Sequence, residues 1–148
     1  MKKAILSFFC LSLCAVTVSA FSVSPENAQI VVPADALGIV RFSAQELQRH
    51  LAMKTGKTIP ITAKAAPGKY TFLFERPANV KLKPEEAVWE VSKTQTRFYG
   101  DSDVGGVKIN KSRITNARTK TGDLTAVYAF LEQQLGFLFL APGDRDTV

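Results

Sequence analysis

His50 is the only histidine in the sequence, so any acid–base or metal chemistry near neutral pH would turn on it. Its surroundings offer such chemistry little. The two cysteines, Cys10 and Cys14, belong to an N-terminal segment expected to be removed, which leaves carboxylates as the only co-ligands for a metal. His50 follows Leu47 by three residues and flanks a helical apolar stripe, the place of a partly buried structural histidine. A Ser-His-Asp triad through Ser43 or Ser92 lacks a nucleophile-elbow sequence. Asp101 and Asp103 open like a calcium loop, in which oxygens at alternating positions wrap the ion around a glycine turn. The pattern then fails, with Gly105 at the third ligand position and Ser112 where the closing glutamate belongs. Glycoside hydrolysis needs two carboxyl groups about 5–9.5 Å apart in a cleft. The adjacent Glu85 and Glu86 read instead as solvated side chains. The inventory therefore predicts no catalytic residue, no metal site and no cofactor.

Binding is better served. Lys108, Lys111, Arg113, Arg118 and Lys120 place five positive charges between Val107 and Thr121 with no acid among them. Such a stretch attracts an acidic polysaccharide, or is simply a solvated loop, since no aromatic residue interleaves the charges. Tyr70, Phe72, Phe74 and the single Trp89 have the flat faces that stack on sugar rings. Their period of two is also what a half-buried strand requires, and core packing is the expected role.

These residues must be held by elements whose periodicity is plain. Residues 29–32 form an apolar run stopped by Pro33. From about 40 to 55, Val40, Ala44, Leu47 and Leu51 recur at spacings of 4, 3 and 4, which marks one stripe of a helix, with Gly56 as its C-terminal cap. Residues 58–62 read as a short strand that Pro60 confines to a sheet edge. Residues 69–75 alternate strictly, and 87–92 with 96–99 read as a hairpin. Leu124, Val127, Tyr128, Leu131 and Leu135 define a second helix, capped by Thr121 or Asp123 at its start and by Gly136 at its end. Residues 137–140 complete the set as a buried strand. This order describes an α/β two-layer sandwich, a mixed sheet of about six strands with two helices on one face.

The N-terminus has a different logic. Lys2 and Lys3 precede an apolar run from 4 to 18, too short to span a bilayer comfortably, and Val18-Ser19-Ala20 supplies small residues for cleavage. Residues 1–20 are expected to be a secretory signal cleaved after Ala20, leaving a secreted or periplasmic domain at 21–148 with no membrane span. That domain lacks cysteine, so it has no disulfide framework and depends on a packed core. The net charge of +6 falls when Lys2 and Lys3 leave, and export makes a nucleic-acid partner still less expected.

The motifs in order are Ile30-Val31-Val32-Pro33, Ala44-Gln45-Glu46-Leu47-Gln48, Thr55-Gly56 with Ile59-Pro60-Ile61, Tyr99-Gly100-Asp101-Ser102-Asp103, Thr125 to Glu132, Leu135-Gly136 and Ala141-Pro142-Gly143. As a set they resemble the N-terminal domain of α-glucuronidase-type glycosidases. The domain preceding the barrel of β-N-acetylhexosaminidases is similar in architecture. The resemblance implies an accessory layer beside a (β/α)8 glycosidase catalytic domain that carries the catalytic carboxylates. A barrel needs roughly 250 residues, which this sequence does not contain, so no catalytic residue transfers to any position here. The sequence departs from the family between Gly105 and Thr121, where the family passes quickly into the second helix. The expected function is a secreted, non-catalytic accessory domain of a glycoside hydrolase. The alternative is a stand-alone carbohydrate-binding protein for acidic polysaccharides.

Overall fold

The computed structural model describes residues 22–102, 109–110, 113–114 and 120–139. The segment read as a signal peptide lies outside the described residues. After one turn of 3-10 helix at Pro25–Asn27, the chain enters β1 (Ala28–Val31), then α1 (Gly38–Thr55) and β2 (Ile61–Thr62). It continues through β3 (Tyr70–Phe74), β4 (Ala87–Val91) and β5 (Gln95–Gly100), a short hairpin of β6 (Ile109–Asn110) and β7 (Arg113–Ile114), and α2 (Gly122–Leu135).

Five strands form one mixed sheet in the order β2-β1-β3-β5-β4. The first four of these run parallel, and β4 closes one edge antiparallel to β5. Pro60 behaves as its chemistry demands: it precedes the edge strand β2, and its carbonyl accepts the Ile30 N–H at 2.9 Å while its missing N–H is not needed. The parallel pairing of β1 with β2 requires a crossover, and α1 is that crossover.

Alternation decides which side of the sheet is covered. Ala28, Ile30 and Val32 from the first strand, Phe72 and Phe74 from β3 and Phe98 from β5 point to one face. They meet Ala44, Leu47 and Leu51 of α1 and Ala126, Val127, Phe130 and Leu131 of α2 in a single core. The two-layer arrangement expected from periodicity is therefore present, with both helices on one face of the sheet. Phe130 sits at its centre, fully buried, with ring centroids 6.2 Å from Phe72, 5.3 Å from Phe98 and 5.8 Å from Trp89. Tyr70, Phe72, Phe74 and Trp89 are thereby committed to packing rather than to a sugar platform. On the other face the buried Gln29 amide is satisfied by Thr71 and by both backbone groups of Ala66, which ties the loop before β3 to the sheet.

Helix α1 is buried on a second side that the single stripe did not anticipate. Ile39 and Phe42 pack with Leu124 in a smaller cluster. Further along, Glu46 accepts hydrogen bonds from the Tyr128 hydroxyl and the Arg49 guanidinium, each at 3.0 Å. Phe42 falls off the sheet-facing stripe because it belongs to this contact with α2.

Two corrections to the expected elements follow from backbone pairing. Phe137 is buried in the core and Leu138 forms a single β-bridge, but residues 137–139, which follow the left-handed cap at Gly136, add no strand to the five-stranded sheet. The Gly136 N–H reaches Glu132 and the Phe137 N–H reaches Leu131, as in a Schellman cap. Conversely, the basic stretch read as a loop contains the hairpin β6–β7, with Ile109 opposite Ile114 and Asn110 opposite Arg113. Its β6 strand lies against α1.

A crevice at the carboxyl ends of the strands

After β1 the chain turns towards β2, and after β3 it turns away towards β4. The two connections diverge and leave a gap at the carboxyl ends of β1 and β3, which is where open parallel sheets offer a binding crevice. Here the gap is a crevice of about 450 Å³. One wall comes from the loop into α1 and the first turn of that helix (Asp35, Leu37, Val40), another from the end of β3 (Phe74, Glu75, Arg76), and the floor from Tyr99, Gly100, Ser102 and Asp123.

The floor is made by a contact between two glycines. A Cβ on Gly100 would lie 2.1 Å from the Gly122 carbonyl carbon, and one on Gly122 would lie 2.3 Å from the Asp101 nitrogen. No side chain fits, so the start of α2 rests directly on the end of β5. Hydrogen bonds fix this approach. The Gly122 N–H donates to the Asp101 carbonyl at 3.2 Å, Ser102 forms an antiparallel bridge with Thr121, and the Asp123 N–H donates to the Ser102 hydroxyl oxygen at 3.1 Å. The hydroxyl that satisfies the first turn of α2 thus comes from Ser102, and neither Thr121 nor Asp123 supplies a side-chain cap as expected. The sequence signal lay in the β5 motif rather than in the helix.

Asp101 ties three segments together. Its N–H donates to the Glu86 carbonyl at 2.7 Å, and its carboxylate accepts the Glu85 N–H at 3.0 Å and the Lys120 ammonium at 3.1 Å. Glu85, expected simply as a solvated acid, has a φ of 62°, a left-handed turn conformation that its N–H bond to Asp101 helps to hold. The Glu85 N–H, followed by Lys120, draws the Asp101 pKa below the ordinary carboxylate value. Asp123 moves the other way: it is 6 % exposed, and burial pushes its pKa up despite hydrogen bonding from Ser102.

The two shifts predict opposite slopes in stability with pH. Asp123 binds a proton more tightly in the folded state, so its contribution rises as pH falls from neutral through its raised pKa and levels off near the ordinary value of about 4. Asp101 binds a proton less tightly when folded, so its contribution is intact above about 4 and is lost as pH falls through its depressed pKa. Urea unfolding measured across pH should show Asp123→Asn flattening the rise on acidification, and Asp101→Asn flattening the loss below it. Identical slopes in wild type and Asp123→Asn would show that the group is not desolvated as described.

His50 is sealed inside the domain. It is fully buried, its Nδ1 lies 2.8 Å from the Glu46 carbonyl oxygen and its Nε2 3.1 Å from the Arg49 guanidinium. A carbonyl only accepts and a guanidinium only donates, so the ring is the Nδ1–H tautomer with both nitrogens engaged. Edge-to-face contacts with Phe137 and Phe139 at 5.2 and 5.3 Å complete its packing. The partial burial expected of it is in fact complete. Among the described residues no group of three or more His, Cys, Asp or Glu side chains could hold a metal ion.

Of the basic residues, Lys120 is described in full and pairs with Asp101 rather than standing free. Arg113 lies in β7, while Lys108, Lys111 and Arg118 lie outside the described residues, as does Asp103. The crevice is not legible along the chain because Asp35, Arg76 and Asp123 are far apart in sequence and only the strand order brings them together. No helix among the described residues is long and apolar enough to cross a membrane. Comparison with family models, with curated proteins and with solved structures finds no match to the chain.

Proposed function

We propose that this chain is the exported, non-catalytic accessory α/β domain of a glycoside hydrolase of the α-glucuronidase type, working beside a carbohydrate-cleaving barrel. What supports this reading above all is the use made of Tyr99-Gly100-Asp101-Ser102, part of one of the motifs on which the resemblance rests. Gly100 provides the close approach of strand to helix, Asp101 pins the turn at Glu85 and the Lys120 segment, and Ser102 caps α2. Tyr99 is buried, with its hydroxyl on Glu90. A motif consumed in this way maintains a scaffold. His50, the one imidazole, is equally spent on packing and backbone hydrogen bonds.

Purified protein is expected to release no product from aryl glucuronides or aryl hexosaminides above a buffer blank. Turnover that survives repurification and is abolished by a single substitution in this chain would overturn the non-catalytic reading.

A further inference from the structure

The crevice at the carboxyl ends of β1 and β3 does more than separate two loops. Its rim carries hydrogen-bonding groups of both kinds. The acceptors are the carboxylates of Asp35 and Glu75, both exposed at the mouth, with the buried Asp123 beneath them. The donor is the exposed guanidinium of Arg76, which lies close enough to Asp101 and Asp123 to favour the charged forms of both. Between these groups the half-buried Leu37 and Val40 give an apolar wall. Helix α1 starts at Gly38, next to this wall, with no side-chain cap and no acid in its first turn, so its positive end is not neutralised by an acid of its own. The volume of about 450 Å³ falls within the usual range for small-molecule sites.

The balance of charge selects the ligand. An anion would gain Arg76 and the positive end of α1 but face three carboxyl groups. A cation would gain the carboxylates but face the guanidinium and the positive end of α1. The residues also do not gather as a metal site, since the described acids form no cluster of three around a common point. A neutral ring bearing several hydroxyl groups meets neither penalty. Each hydroxyl donates to a carboxylate and accepts from a guanidinium at once, and the carbon face of the ring covers an apolar wall.

We infer that the crevice formed by Asp35, Glu75, Arg76 and the Leu37-Val40 wall is a binding site for one neutral pyranose unit. It is a site of this chain's own, and it stands whether or not a catalytic barrel lies alongside. Glu75 and Arg76 hold the ring hydroxyls from the β3 side. Asp35 holds the opposite edge, and the close Gly100–Gly122 contact fixes the floor by seating the start of α2 against the end of β5.

The test is a titration of the purified, isotopically labelled protein followed through its backbone amide resonances. The probes are the methyl glycosides of glucose, galactose and mannose, with inorganic phosphate and leucine as anionic and zwitterionic comparisons. At least one methyl hexoside should bind in the millimolar range, a weak affinity suited to a single sugar unit. It should move the amides of Gly38, Ile39, Val40 and Gly100, and binding should change little with added salt. Arg76→Ala is expected to weaken it about tenfold, and Glu75→Gln several-fold. Both side chains are exposed, so unfolding curves should match wild type. If Arg76→Ala fails to fold, Glu75→Gln decides the matter alone. The inference is overturned if none of the three hexosides shifts those amides, if the shifts map elsewhere, if the variants bind as wild type does, or if phosphate or leucine binds more tightly. The readout is binding, so these results are independent of whether aryl glycosides are turned over.

Discussion

Phe130→Ala is expected to remove about 3–5 kcal/mol of folding stability, a large share of the total for a domain of this size, which is typically about 5–15 kcal/mol. The cost has two parts. The ring is fully buried, so truncation forfeits its transfer free energy, and it is the common neighbour of Phe72, Trp89 and Phe98, so three rings lose an edge or face at once. The hole opens where Phe130 of α2 meets rings from β3, β4 and β5, and a core relaxes only partly around such a cavity. Urea unfolding should show a large fall in midpoint with an unchanged slope, and thermal unfolding a drop of roughly 10 °C or more. A loss below about 1 kcal/mol would mean that α2 does not lie on this face of the sheet. Phe130→Leu, which keeps most of the volume, should recover much of the loss.

Gly122→Ala is expected to cost on the order of 3 kcal/mol, for a reason that runs against local propensity. Within a helix alanine is favoured over glycine by about 1 kcal/mol, so an isolated α2 peptide should gain helicity from the change. In the protein the added methyl meets the Asp101 nitrogen at 2.3 Å and the Gly100 backbone at 2.7 Å. Those atoms are main chain and cannot swing aside. The start of α2 must lift from β5, straining the Gly122 to Asp101 hydrogen bond and the cap from Ser102. Hydrogen exchange of the first-turn amides of α2 should accelerate together with the loss of stability. Gly56→Ala provides a contrast, since Gly56 has a φ of 70° and an added methyl there would meet nothing within 4 Å, so only the backbone conformation is penalised, by about 1–2 kcal/mol. If Gly122→Ala were as mild as that, the strand–helix contact would not be as close as described.

Much of the fold could be read from particular residues. Alternation at Tyr70, Phe72 and Phe74 placed a half-buried strand, Gly56 and Gly136 ended two helices in left-handed caps, and Pro60 marked an edge strand. Each of these is a local constraint. Where the expectation missed, the deciding contact was distant. Residues 137–139 are apolar enough for a strand, yet they pair at Leu138 only and stay outside the five-stranded sheet, and nothing local distinguishes a sheet strand from a segment with one bridge. The basic stretch gave no alternation to announce a hairpin, since backbone pairing at Ile109 and Ile114 needs only two matched positions.

The candidate site was less legible than the fold. The sequence by itself determined that this domain has one histidine, no cysteine beyond residue 14, five clustered cations and a core large enough for two helices on a sheet, because composition and period are properties of the chain alone. Only the tertiary structure decided that His50 is sealed, that Asp101 and Ser102 serve the start of α2, and that Asp35, Glu75, Arg76 and Asp123 share one crevice. The physical reason is the strand order. The diverging connections after β1 and β3 bring together residues up to 88 positions apart, from Asp35 to Asp123, and a periodic pattern carries no record of which strand lies beside which.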